Sequence, residues 1–87
     1  MESRIPPNHM EAERAVLGSM MRSGAAVLLA QESLSREDFY APATAEIFSA
    51  MLAIAALGRP VDLVTLDEEL RRRGRLDALG GIDALVE

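Results

Sequence analysis

The chain has 87 residues, a net charge of −5, 49% hydrophobic residues and only 3% aromatic ones. A domain this short buries roughly 60–65% of the surface its unfolded form exposes, so its core is thin. The acidic balance argues against nucleic acid or an anionic membrane as a direct partner. The absence of Cys excludes disulfides and thiolate metal sites, and the absence of Lys excludes a lysine phosphate loop.

The apolar mass is mostly Ala and Leu, with few β-branched residues. Both lose little rotamer freedom in a helix, so composition favours an all-α protein. The longest apolar run, Ala50 to Leu57, falls far short of the ~20 residues a membrane-spanning helix needs. The polar first dozen residues carry no signal-peptide pattern, and a cytoplasmic location is expected.

Residues 1–7 read as an extended arm, because Pro6 and Pro7 lack N–H donors and push Ile5 out of the helical region. Asn8-x-x-Glu11 has the form of a capping box, and Glu11 and Glu13 suit the first turns of the helix it opens. Ala12, Val16 and Met20, flanked by Leu17 and Met21, form the apolar stripe of this first helix. It should end near Arg22, before Ser23-Gly24. A shorter helix follows from about Ala25 to Gln31. Its contiguous Val27, Leu28 and Leu29 give no period, but the surrounding Ala residues favour helix. Ser35-x-x-Asp38 suggests a single turn leading into Phe39-Tyr40.

The third helix is the clearest. Pro42 suits its first position and Gly58 the left-handed residue after its end. Ile47, Phe48, Met51, Leu52, Ile54, Ala55 and Leu57 leave only Thr44, Glu46 and Ser49 polar. A helix apolar round most of its circumference is wrapped by neighbours, so Phe48 is placed at the centre of the domain. Asp62 caps a fourth helix, about 63 to 73, with a buried stripe of Leu63, Leu66 and Leu70. Asp67/Arg71, Glu68/Arg72 and Glu69/Arg73 are acid-before-base pairs at i,i+4, each contributing roughly 0.2–0.5 kcal/mol. Gly74 stops this helix. A brief turn covers 76–79, then Gly80-Gly81. Ile82 to Glu87 reads as a fifth helix with no stop signal, so the chain is expected to be cut within a longer protein.

No catalytic, cofactor-binding or metal-ligating residue is assigned. His9 has no nucleophile in local register, and His9-x-Glu11-x-Glu13 puts its members on different helix faces. Glu11, Glu13, Asp62, Asp67, Glu68 and Glu69 read as helix-end charges. Arg71, Arg72, Arg73 and Arg75 form the one basic cluster. It reads as dipole compensation and i,i+4 pairing, with contact to a phosphate or an acidic partner as the alternative. Met20 and Met21 read as core filler rather than a soft docking patch.

Arg4 to Met21, with Pro6, Pro7, Glu11-Ala12-Glu13 and Val16-Leu17-Gly18, resembles the start of the bacterial replicative helicases of the DnaB family. Three further blocks match in order: Glu37-Asp38-Phe39-Tyr40 with Ile47-Phe48; Pro60 to Leu66; and Leu76-Asp77 with Gly80-Gly81. Thr44 and Ala45 stand where the family usually carries His and Arg, which puts any role of that polar pair in doubt here. The resemblance implies residues 8–87 as the helical head of the N-terminal domain, truncated before or within a helical hairpin. It implies a noncatalytic role in assembling a homohexameric collar and docking primase within the primosome. The motor, with ATP and Mg, would lie in a separate domain. The partners expected are primase and other helicase subunits, and the chain alone is expected to be a monomer or weak dimer. The other readings are a stand-alone helical adaptor, the helicase-binding domain of a primase, and a small enzyme.

Overall fold

The structure, a computed structural model, describes residues 10–75. It holds four α-helices: α1 (Met10–Arg22), α2 (Gly24–Ser33), α3 (Pro42–Ala56) and α4 (Leu63–Arg72), with one 3₁₀ turn (Arg36–Asp38) before α3. There is no strand among the described residues, so the all-α expectation holds. The extended arm, the Asn8 cap, His9, the 76–79 turn and the fifth helix all lie outside them.

One residue separates α1 from α2. The Ser23 N–H still donates to Ser19 in α1 at 3.0 Å, while the Ser23 hydroxyl accepts from the Ala26 N–H at 3.3 Å and caps α2. Such a cap satisfies one of the donors every helix start leaves orphaned. Before the 3₁₀ turn, the Ser35 N–H donates to Asp38 Oδ2 at 2.8 Å.

Helix α3 has Pro42 in its first turn and ends in a Schellman motif. Gly58 takes φ +75°, its N–H donates to Ala55 at 2.9 Å, and the Arg59 N–H reaches back to Ile54 at 3.3 Å. Helix α4 ends the same way. Gly74 takes φ +73°, with Gly74 N–H to Arg71 at 3.0 Å and Arg75 N–H to Leu70 at 2.9 Å. At its start Asp62 Oδ1 accepts from the Thr65 N–H at 2.9 Å, and Thr65 Oγ1 accepts from the Asp62 N–H at 3.0 Å. The two residues therefore satisfy each other's backbone donors.

Helix α3 is the hub: it packs on α1, α2, α4 and the 3₁₀ turn, while α1 also lies along α2. Its Ile47, Phe48, Met51 and Ile54 meet Leu17 and Met20 of α1, Val27 of α2, and Leu66 and Leu70 of α4 in one cluster. Phe48 is fully buried and stacks on Phe39 at 4.6 Å between ring centroids.

Three stripe assignments are corrected. Ala12 is exposed; its place in the buried face of α1 is taken by Glu13. Leu57 is 71% exposed, because it is the last residue before the chain turns away at Gly58. Leu63 is 43% exposed: α4 starts there, beyond the edge of α3, and only Leu66 and Leu70 reach the core.

Phe48→Ala should cost roughly 3–5 kcal/mol, from the lost transfer energy and the cavity left behind. Urea denaturation should show that loss as a lower midpoint with an unchanged slope. A cooperative variant within about 0.5 kcal/mol of the parent would mean that this ring does not fill the centre.

Candidate docking surface and the buried charges behind it

The sequence places its acids at helix ends as solvated charges. The structure instead buries three glutamates, one on each of three helices: Glu13, Glu46 and Glu69. A buried carboxylate is costly unless its oxygens are matched; Glu13 and Glu46 are matched by other elements, and Glu69 by the end of its own helix.

Glu13, only 1% exposed, leaves α1 and reaches the start of α3. Its Oε2 accepts from the Tyr40 N–H at 2.7 Å, and its Oε1 accepts from the Thr44 hydroxyl at 2.5 Å. Thr44 also lies 3.0 Å from the Ala41 carbonyl. Here, then, Thr44 serves as a partner of α1.

Glu46 lies on another face of α3. Arg36 from the 3₁₀ turn, Arg73 from the end of α4 and Arg75 beyond it approach its carboxylate at 3.1, 2.9 and 3.0 Å. Arg73 also donates to the Ser49 hydroxyl at 3.2 Å. The hydrogen bond from Arg73 holds the Glu46 carboxyl below its ordinary range, against a desolvation that works the other way, and Arg36 adds to the lowering.

Glu69 takes Arg72 and Arg73, each at 2.7 Å. Those two guanidinium groups, Arg72 first, pull its carboxyl from 4.5 to about 2, again against desolvation. The expected Glu68/Arg72 pair is therefore replaced. Arg72 turns to Glu69 at i−3, and Glu68 pairs with Arg59 at 3.0 Å. Asp67/Arg71 and Glu69/Arg73 form as spaced, at 3.1 and 2.7 Å. The basic cluster is thus divided. Arg71 and Arg72 are exposed, whereas Arg73 and Arg75 turn inward to α3.

Asp62 sits at its cap, where the Thr65 N–H holds its carboxyl below the ordinary range; Gly58 and Gly74 sit at the two left-handed turns, and Phe48 in the core. Among the described residues, no buried side-chain nitrogen or oxygen lacks a hydrogen-bond partner, and no group of three or more His, Asp or Glu could hold a metal ion. The chemistry this arrangement performs is clamping: it fixes how α1, the end of α4 and the 3₁₀ turn sit on α3.

Outside, α2 presents apolar side chains to solvent. Leu28 and Leu29 of α2 are 62% and 65% exposed. Leu28 borders a groove of about 380 Å³ between the α1–α2 junction and the end of α3, lined by Met20, Met21, Val27, Ala55 and Val61. Exposed Arg22 and Arg59 line it as well. Met20 is buried, as a core residue should be, while half-buried Met21 is open to the groove. No helix among the described residues is long and apolar enough to cross a membrane.

Residues 5–87 match the model of the DnaB-like helicase N terminal domain. The chain is similar to the replicative DNA helicase DnaB of Geobacillus stearothermophilus, 49% identical over 84 residues, which cover 97% of this chain and 18% of that protein. It is also similar to the replicative DNA helicase DnaC of Bacillus subtilis (strain 168), 41% identical over 87 residues, 100% of this chain and 19% of that one. Among solved structures it resembles the N-terminal domain of DnaB helicase from Mycobacterium tuberculosis. The TM-score is 0.82 at 41% identity, over 93% of this chain and 56% of that one. The chain thus spans about a fifth of the length of the curated relatives it matches.

The buried carboxylates give stability a defined pH dependence. Both Glu69 and Glu46 are lowered on folding, so their contribution is complete above the unfolded value near 4.5. It is lost as pH falls through the window from 4.5 toward about 2. Urea midpoints should therefore hold level from about pH 7 to 5 and drop below about 4.5. Glu69→Gln should lower the midpoint at neutral pH and flatten the acid limb. A parent midpoint that stays level to about pH 3 would contradict the pairing.

Proposed function

The chain belongs to the DnaB-like helicase N-terminal domain family, and we propose that it works as a noncatalytic assembly and docking domain of a replicative DNA helicase. The observation that carries this reading is the 49% identity, over nearly the whole chain, to a replicative helicase of which it covers only 18%. In this reading residues 8–87 form the helical head, and the motor that uses ATP and magnesium occupies a separate part of the protein. Six such domains build a homohexameric collar in the cytoplasm, and primase docks on that collar.

Two physical features support it. A chain with no Lys carries no lysine phosphate loop of its own, which fits a division of labour between head and motor. The interior polar groups are committed to holding helices together, while apolar side chains of α2 face outward, as a surface that receives other proteins requires.

The test is retention of a primase C-terminal region on the immobilised 87-residue chain. Saturable retention above that on an unrelated acidic helical protein is the expected outcome. Retention no greater than on the control would count against the docking role.

A further inference from the structure

We propose that the groove between the α1–α2 junction and the end of α3 is a docking site for an acidic amphipathic helix of a partner protein. This rests on the docking reading above and gives it a place and a chemistry. The floor of the groove is apolar: Met20, Met21, Val27, Ala55 and Val61. Its volume, about 380 Å³, falls at the low end of the ~300–1,000 Å³ that binding pockets occupy, room for a short row of apolar side chains. Methionine side chains adapt to what packs on them. Leu28 extends the apolar surface along α2, which gives a helical occupant a row to lie along with anchors at i, i+3 or i+4, and i+7.

Charge selects the kind of helix. The protein as a whole carries −5, yet the two charged side chains lining this groove are both arginines, Arg22 and Arg59. Arg22 has no ion-pair partner among the described residues. Arg59 pairs with Glu68 at 3.0 Å, but both side chains are about half exposed. A pair of that kind contributes little and is readily exchanged for another carboxylate. The groove therefore favours a helix with carboxylates beside its apolar row and disfavours a basic one.

The experiment uses the 87-residue chain and two synthetic helical peptides that share one leucine row, flanked by Glu in one and by Lys in the other. Binding is followed by methyl NMR shifts and calorimetry at low salt. The expected result is binding of the Glu peptide, with shifts at Met20, Met21, Val27 and Val61, weakened by salt. An Arg22→Glu, Arg59→Glu double variant should weaken it about fivefold or more and should now favour the Lys peptide. Both sites are exposed, so the fold should survive, and far-UV circular dichroism checks this. Equal binding of the two peptides, shifts elsewhere, no binding at all, or a groove filled by a second copy in sedimentation would each overturn the proposal. Primase retention without Glu-peptide binding would remove this site and leave the docking role standing. Peptide binding without primase retention would do the reverse.

Discussion

A helix wrapped on nearly every side can bury a polar residue only where a neighbour comes to meet it, and α3 buries two, Thr44 and Glu46. That constraint governs the rest of the structure. Thr44 is met by Glu13 from α1, and Glu46 by Arg36, Arg73 and Arg75 from the segments before α3 and after the body of α4. The apolar contacts of Phe48, Ile47 and Met51 set how closely the neighbours pack. The paired groups add direction, because a shift of α1, α4 or the 3₁₀ turn leaves a buried carboxylate short of a partner. Total stability for a domain is only about 5–15 kcal/mol. The pairs add less than that to net stability, since burying the charges has its own cost.

Helix positions were legible in the sequence where local chemistry decides them. Pro42 opens α3 by its fixed φ, while Gly58 closes α3, Asp62 opens α4 and Gly74 closes it through hydrogen bonds among near neighbours. Partner choice was not legible. Glu68 and Glu69 lie equally well spaced for Arg72, and the choice falls to Glu69 while Arg59, nine residues before Glu68 in the chain, takes the other. Glu13 carries a first-turn pattern, so nothing local distinguishes it from the solvated Glu11 beside it; only the arrival of Tyr40 and Thr44 does. A reader of spacing alone could have noted that Glu13, Leu17 and Met20 share a face, but a carboxylate in that row argues against it until its partners are known. The exposed Leu57 and Leu63 mark the opposite error: apolar character suggests burial, and position at a helix end overrides it.

The site now proposed was half visible. Met20 and Met21 stand out as adjacent methionines, and the core reading is right for Met20. Their relation to Arg22, Arg59 and Val61 appears only when the α1–α2 junction is brought against the end of α3. The family relation and the physics are consistent. The described interior is organised to hold one shape, an apolar groove that two arginines line faces outward, and the curated relatives are some five times longer than this chain. The proposed role, a head that presents a surface to other proteins, is consistent with these features and depends on the clamp on α3.

That clamp is tested most directly by a double-mutant cycle on Glu46 and Arg73, with Glu46→Gln, Arg73→Met and the double variant compared by urea denaturation. The account predicts a coupling of about 1–3 kcal/mol, each single change being costly and the second costing less than it does alone, since Arg73 also holds Glu69. Additive losses, within about 0.5 kcal/mol, would show that the two side chains do not act as a unit and that α3 is held by packing alone.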